Sequence, residues 1–124
     1  MFDIEAFRNY CLAKAGVTES FPFDESTLVF KVMHKMFALA DLHDPQLSFN
    51  LKCDPELAVE LRARYAAVTP GYHMNKNHWN TVAVDGSIPK KEILGMIDDS
   101  YTLVIRSLTK KDRAALLALQ EKRK

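Results

Sequence analysis

The stretch "TLVFKVMHKMFALADLHDPQLSFNLKC" (residues 27–53) carries the fold. Its last part alternates cleanly: Leu47, Phe49, Leu51 and Cys53 fall on one face, Gln46, Ser48, Asn50 and Lys52 on the other. Side chains along a strand point alternately to opposite faces, so this is a strand with one buried and one solvated face. Upstream, "TLVFKVM" (27–33) and "MFALAD" (36–41) are apolar runs separated by His34 and Lys35, which predicts a hairpin turning on that polar pair. "HDP" (43–45) supplies the next turn. Three strands joined by short turns predict an antiparallel meander.

Helical periodicity surrounds this meander. Before it, Asp3 is placed to cap a helix whose Ile4, Phe7, Tyr10 and Cys11 recur at helical spacing, with Glu5, Arg8, Asn9 and Lys14 expected on the wet side. Gly16 suits the end of that helix. After it, "DPELAVELRARYA" (54–66) opens with Asp54 as cap and Pro55 at the first helical position, with Leu57, Ala58, Leu61 and Tyr65 as its apolar stripe. "HWNTVAV" (78–84) has strand composition and stops at Asp85-Gly86. "PKKEILGMIDDSYTLVIRSL" (89–108) is the longest helical pattern, stepping through Ile93, Ile97, Tyr101, Val104 or Ile105, and Leu108. Thr109 and Asp112 suit a fresh helix start, "RAALLALQ" forms a short last helix, and residues 120–124 are expected to fray.

The order is helix, three strands, helix, strand or hairpin, helix, short helix. That predicts an α+β fold of two layers, with helices packed on one face of an antiparallel sheet. The 124 residues suit a single domain spanning 1–124. A hydrophobic share of 48% and a charged share of 27% are ordinary for a globular chain. No apolar run approaches the ~20 residues that span a bilayer. The first residues lack the pattern of a signal peptide, and Cys11 and Cys53 match no metal or redox spacing. The expectation is a cytoplasmic protein with free thiols, no membrane association, no cofactor, no metal, and a monomeric state.

Net charge is +1, unevenly spread. Residues 1–60 hold ten acids and five bases, or −5; residues 61–124 hold six acids and twelve bases, or +6. Such asymmetry points to an anionic partner unless the halves fold against each other and cancel.

The segment "PGYHMNKNHWNTV" (70–82) gathers two histidines, three asparagines, a lysine, a tyrosine and the sole tryptophan, with no acid. Catalysis has weak support there. Thr81 and His78 point to opposite strand faces, and no carboxylate is at hand to orient an imidazole. His73 and His78, five apart, fit no common zinc spacing. Hydrogen-bond donation fits better: Lys76, His73, His78 and the asparagine amides all donate, Lys90 and Lys91 follow the next turn, and Arg62 and Arg64 precede. Trp79 could stack a base, or simply pack in the core. The asparagines could equally only fix turns. Met33, Met36, Met74 and Met96 are expected to fill core gaps. Lys110, Lys111 and Arg113 crowd a helix start, where bases oppose the helix dipole.

"YHMNKNHWNTVAVDG", a following proline, a helix bearing "DSYTLV", and then "LTKK" together resemble the YjbR/MmcQ family of small bacterial proteins. "CLAKAGVTESFPFD" and "DPELAVELRARY" fit the same pattern, so the likeness runs from about residue 3 to residue 120. The resemblance implies a compact α+β domain and carries a label of predicted double-wing DNA binding, without an established activity. It draws attention to Tyr72, His73, Asn75, Lys76, His78, Trp79, Asn80 and Thr81, with Ser100 and Tyr101 downstream, and implies no catalytic assignment. The candidate nucleic-acid or anion-binding set is therefore Tyr72, His73, Asn75, Lys76, His78, Trp79, Asn80, Lys90, Lys91 and Arg62. Its expected partner is DNA or a small anionic ligand. The alternative is a small-molecule or partner-protein groove beside Trp79.

Overall fold

A computed structural model describes residues 2–71 and 75–122. The elements are α1 (Ile4–Leu12), β1 (Val17–Ser20), β2 (Thr27–Val32), β3 (Lys35–Asp41), β4 (Ser48–Lys52), α2 (Pro55–Arg64), β5 (Val68–Pro70), β6 (Trp79–Ala83), α3 (Lys90–Arg106) and α4 (Lys110–Lys122). The six strands form one antiparallel sheet in the order β1-β2-β3-β4-β6-β5. The fold is α+β, as the periodicities predict.

The expected meander is present, with one shift. The β2–β3 turn falls on Met33 and His34, at φ 48° and 73°, and not on His34-Lys35; Lys35 already belongs to β3. Two consecutive positive φ values make a two-residue hairpin turn whose twist matches the strands. It forms here without the usual Asn or Gly. A register shift between Phe30 and Lys31, opposite Ala38 and Met36, leaves Phe37 as the extra residue of a bulge. Two strands lie outside the sequence-based reading, β1 and β5, one at each edge of the sheet.

One face of the sheet buries Leu28, Phe30, Val32, Ala38, Ala40, Phe49, Leu51 and Val82 against the helices. Phe7 of α1 stacks on Phe49 at 4.3 Å and meets Phe30 edge-on at 5.5 Å, while Phe37 meets Tyr101 edge-on at 5.4 Å. Such pairs add about 0.5–1.5 kcal/mol each beyond the burial of their area. α3 crosses this face and buries Ile93, Met96, Ile97, Ser100, Tyr101 and Val104. Val104, not Ile105, takes the core position. Met96 is in the core and Met33 packs against it, whereas Met74 lies outside the described residues.

The helix ends differ in how they are held. Asp3 caps α1, accepting from the Ala6 N–H at 2.9 Å. Asp54 precedes α2 but makes no side-chain cap bond. Thr109 Oγ1 accepts from the Asp112 N–H at 3.1 Å and opens α4. α4 is longer than the sequence pattern suggests and runs through Gln120 to Lys122. Gly16 has φ +74°, and a Cβ there would meet Leu116 Cδ1 at 2.6 Å, so glycine lets α4 seat Leu116 beside the end of α1.

Lys14 is not on the wet side. Its ammonium binds Asp98 at 2.5 Å and lies 4.8 Å and 5.2 Å from the Tyr10 and Tyr101 ring centroids. The charge is met by a carboxylate and two ring faces, which makes a partly buried lysine tolerable. Tyr10 also donates to Asp98, at 2.8 Å, tying α1 to α3.

Candidate functional site

The sheet has two ends of opposite character. At one end lie the β1–β2 and β3–β4 connections, the exit of β6 and the starts of α1 and α3. Val84 donates to Leu47 O and accepts from Gln46 Nε2 there. That end carries Asp3, Glu5, Asp24, Asp41, Asp44 and Asp85, with Lys90 and Lys91 as bases at the start of α3. At the other end lie the β2–β3 turn, the end of β4, the entry to β6, and the junction of α3 with α4. Lys35 Nζ donates to Ser107 O at 2.9 Å across that end. It carries Lys35, Lys52, Lys76, His78, Lys110 and Lys111, with Asp54, Glu56, Asp99 and Asp112 as acids nearby.

The loop entering β6 is built on Asn75. Its side chain accepts from the Asn77 N–H at 3.0 Å, closing a small turn. Its carbonyl accepts from the N–H groups of His78 and Trp79 at 3.1 and 3.0 Å. The His78 carbonyl accepts from the Cys53 N–H at 2.7 Å, joining the loop to the end of β4. Arg62 reaches over from α2. Its Nε donates to Asn80 Oδ1 at 2.7 Å, and its guanidinium also donates to the carbonyls of Lys76 and Trp79. With the backbone held in this way, the side chains of Asn75, Lys76, Asn77 and His78 are all exposed.

Across this set of candidates, the structure brings Asn75, Lys76, His78, Trp79, Asn80 and Arg62 together. Their roles divide. Trp79 is 8% exposed and Asn80 is 2% exposed. Asn80 faces inward between Arg62 and the Ala58 carbonyl. Gly71 lies against Trp79: a Cβ at 71 would meet Trp79 Cβ at 2.7 Å. Thr81, on the other strand face, donates to Asn50 Oδ1 at 2.6 Å. Lys90 and Lys91 do not join the loop. They sit at the acidic end, where Lys90 lines a cleft with Phe2, Ala6 and Tyr10. Tyr72 and His73 lie outside the described residues.

Ser100 turns out to be structural in its contacts. It is fully buried on α3, donates to the Phe37 carbonyl at 2.6 Å and accepts from the Lys52 N–H at 2.8 Å. The β3–β4 register runs from Ala40↔Phe49 to Ala38↔Leu51. Ser100 bridges the next two strand positions, just where the bulge at Phe37 interrupts the ladder. Tyr101 donates to Ala15 O at 2.5 Å. Burial pushes the Cys11 thiol up to about 12. Burial, then Asp99 and Asp54, push Cys53 up to about 11. Neither thiol is an activated nucleophile. Among the described residues no group of His, Cys, Asp and Glu gathers as metal ligands.

Sequence reasoning passed over Lys52, which pairs with Trp79 at the entry of β6, and Lys35, which shares that end of the sheet. Which strand termini share an end follows from the strand order.

The architecture defines a class: a two-layer α+β domain whose antiparallel sheet is backed by helices on one face and bears a polar loop at the entry of β6. The chain belongs to the YjbR family, whose model matches residues 12–103. It is 35% identical over 116 residues to the uncharacterized protein YjbR of Escherichia coli K12, covering 94% of this chain and 98% of that relative. It is 36% identical over 109 residues to the uncharacterized protein YbdF of Escherichia coli O157:H7, covering 88% and 89%. The crystal structure of a Deinococcus radiodurans protein with the family-model domain DUF419 matches with a TM-score of 0.86 at 39% identity, covering 91% of this chain and 86% of that one. A Pseudomonas syringae protein of known crystal structure matches with a TM-score of 0.71 at 30% identity, covering 82% and 97%. No helix among the described residues is long and apolar enough to cross a membrane.

Proposed function

We propose that this domain is a binding module that grips a polyanion, with DNA as the first candidate, through the basic end of its sheet. The observation that carries this reading is the 75–78 loop. Its backbone is fixed by Asn75 and Arg62, and its Lys76 and His78 side chains project into solvent. A donor array that is already ordered loses less freedom on binding. Lys35, Lys52, Lys110 and Lys111 extend the positive surface at the same end. Phosphate contacts of this kind supply most of the affinity for nucleic acid and make it salt-dependent.

Trp79 contributes as the loop's buried anchor rather than as a stacking platform, since 8% exposure leaves little ring for a base. Lys90 and Lys91 fall outside this surface. A small-ligand groove beside Trp79 draws less support. The Trp79 ring is too far buried to offer a wall for one.

The test is a titration of labelled duplex and single strands across salt. Log affinity should fall with log salt, with a slope of about −0.9 for each phosphate neutralised on a duplex. Failure of both strand forms to bind at low salt removes this function.

A further inference from the structure

The acidic end of the sheet also carries apolar surface. Phe21 is 48% exposed, Phe23 68% and Leu42 44%. Two clefts of about 390 Å³ meet there. One lies between Ile4, Phe21, Leu28 and Leu42, the other between Phe2, Ile4, Leu42 and Leu47, so Ile4 and Leu42 are common to both. The rim is acidic: Asp3, Asp41 and Asp44 on one side, Glu5 and Glu19 on the other. Its one base, Arg8, is already engaged by Glu19 at 2.8 Å. The result is an apolar trough inside a negative ring, and it is offered to solvent.

α4 has the reverse character. Leu116 is its only fully buried residue. The side away from Leu116 presents Lys110, Ala114, Leu117, Ala118 and Glu121, at spacings i, i+4, i+7, i+8 and i+11, with Lys111 and Lys122 beside them, so three lysines stand against one acid. Leu117 is 59% exposed. A helix with a solvent-facing leucine between alanines, flanked by lysines, matches an acid-rimmed apolar trough in both shape class and sign.

We propose that the trough at the start of α1 is the docking site for α4 of a second copy of this chain. Charge decides among the ways two copies could meet. Trough against trough would set acid rim against acid rim. Antiparallel α4 against α4 would place Lys110 and Lys111 beside Lys122, with Glu121 the one acid to offset them, and so set two net-positive faces together. Of these, α4 into trough pairs opposite net signs, and it alone brings an exposed leucine, Leu117, to the apolar floor. The trough belongs to the acidic end of the sheet and α4 starts at the basic end, so the contact is head-to-tail. Each copy then has one donor surface and one acceptor surface, and growth continues until a ring closes. The contact leaves the 75–78 loop outside but takes up Lys110 and Lys111 of the proposed polyanion surface; association is measured without nucleic acid, so it stands or falls apart from that reading.

The experiment is sedimentation of the full chain up to about 1 mM at low and high salt. Wild type should associate with concentration, and high salt should weaken association several-fold. Leu117→Glu loses the donor and Leu42→Arg loses the acceptor, and each alone should stay monomeric with an unchanged melting temperature. Mixed, the two should form a 1:1 dimer, because each retains the surface the other lacks; Asp44→Lys serves as a second acceptor variant. A wild type that stays monomeric at the highest concentration overturns the proposal. So does association unaffected by Leu117→Glu, or a mixture that fails to pair.

Discussion

Ser100 and the 75–78 loop are both polar features in an apolar setting, and they spend their polarity in opposite directions. Ser100 is turned wholly inward. Both of its hydrogen-bonding roles are filled by backbone groups of β3 and β4, and no surface remains for a ligand. The loop is the reverse: the Asn75, Lys76 and His78 carbonyls and the Asn77 and His78 N–H groups are bonded within the protein, while its side chains face water. Arg62 lies between these cases. It is a cation near the loop, but its guanidinium is committed to Asn80 and two carbonyls. Residue type therefore does not identify a site. What matters is whether the donors still have capacity once the fold has used what it needs.

Ser100 gives the largest expected effect. Ser100→Ala strands the Lys52 N–H and the Phe37 carbonyl, both at the seam where the bulge has opened the β3–β4 ladder. Each buried group left without a partner costs about 1–3 kcal/mol. The combined loss should be about 2–4 kcal/mol in urea denaturation, with polyanion binding per folded molecule unchanged. A loss under about 1 kcal/mol would mean that the seam is not held by this hydroxyl. A loss of binding at full stability would move Ser100 into the site and erase the contrast.

The thiols test burial from another side. Cys53 lies between seam and loop, and Cys11 lies on the buried face of α1. Both are held above their usual 9.0, to about 11 and about 12. The raised form is the neutral one, so the associated stability is complete below pH 9 and declines as unfolded thiols ionise above it. Tyr10, pushed up to about 12 from 10.0, adds to the decline above pH 10. The urea midpoint should therefore fall between pH 9 and 11, and Cys11→Ala with Cys53→Ala should flatten the first part of that fall. A flat midpoint for wild type through this range would show that the thiols are not desolvated.

Much of this fold is legible without coordinates. The alternation of β4 and the stripe of α3 are long and strongly patterned, and both appear as expected. β1 and β5 escape because edge strands are short and weakly patterned; β1 alternates only between partly buried and exposed residues, and β5 ends in Pro70. The turn at Met33-His34 escapes because it adopts positive φ without the residues that normally announce it. At the candidate site, the exposed donors Lys76 and His78 could be picked out by composition. The inward use of Arg62 could not, since its partners lie 14 to 18 residues away along the chain. Nor could the separation of Lys90 and Lys91 from the loop, because seven residues beyond β6 look close in sequence but lie at the far end of the strand.

The smallest expected effect on stability is at Lys76, and there the contrast is sharpest. Its backbone carbonyl is held by Arg62, but its side chain is exposed. Lys76→Ala preserves the carbonyl and removes only the ammonium, so stability should change by less than about 0.5 kcal/mol. The salt slope of polyanion binding should fall by about one unit, the share of one phosphate contact. Arg62→Ala separates presentation from contact. It removes the charge-assisted bonds to Asn80 and the loop carbonyls, costs about 1–3 kcal/mol, and should weaken binding through a loosened loop. If Lys76→Ala leaves the slope of a binding-competent protein intact while Arg62→Ala abolishes binding, the phosphate is read by Arg62 itself. Its inward geometry would then be a resting state that the ligand displaces.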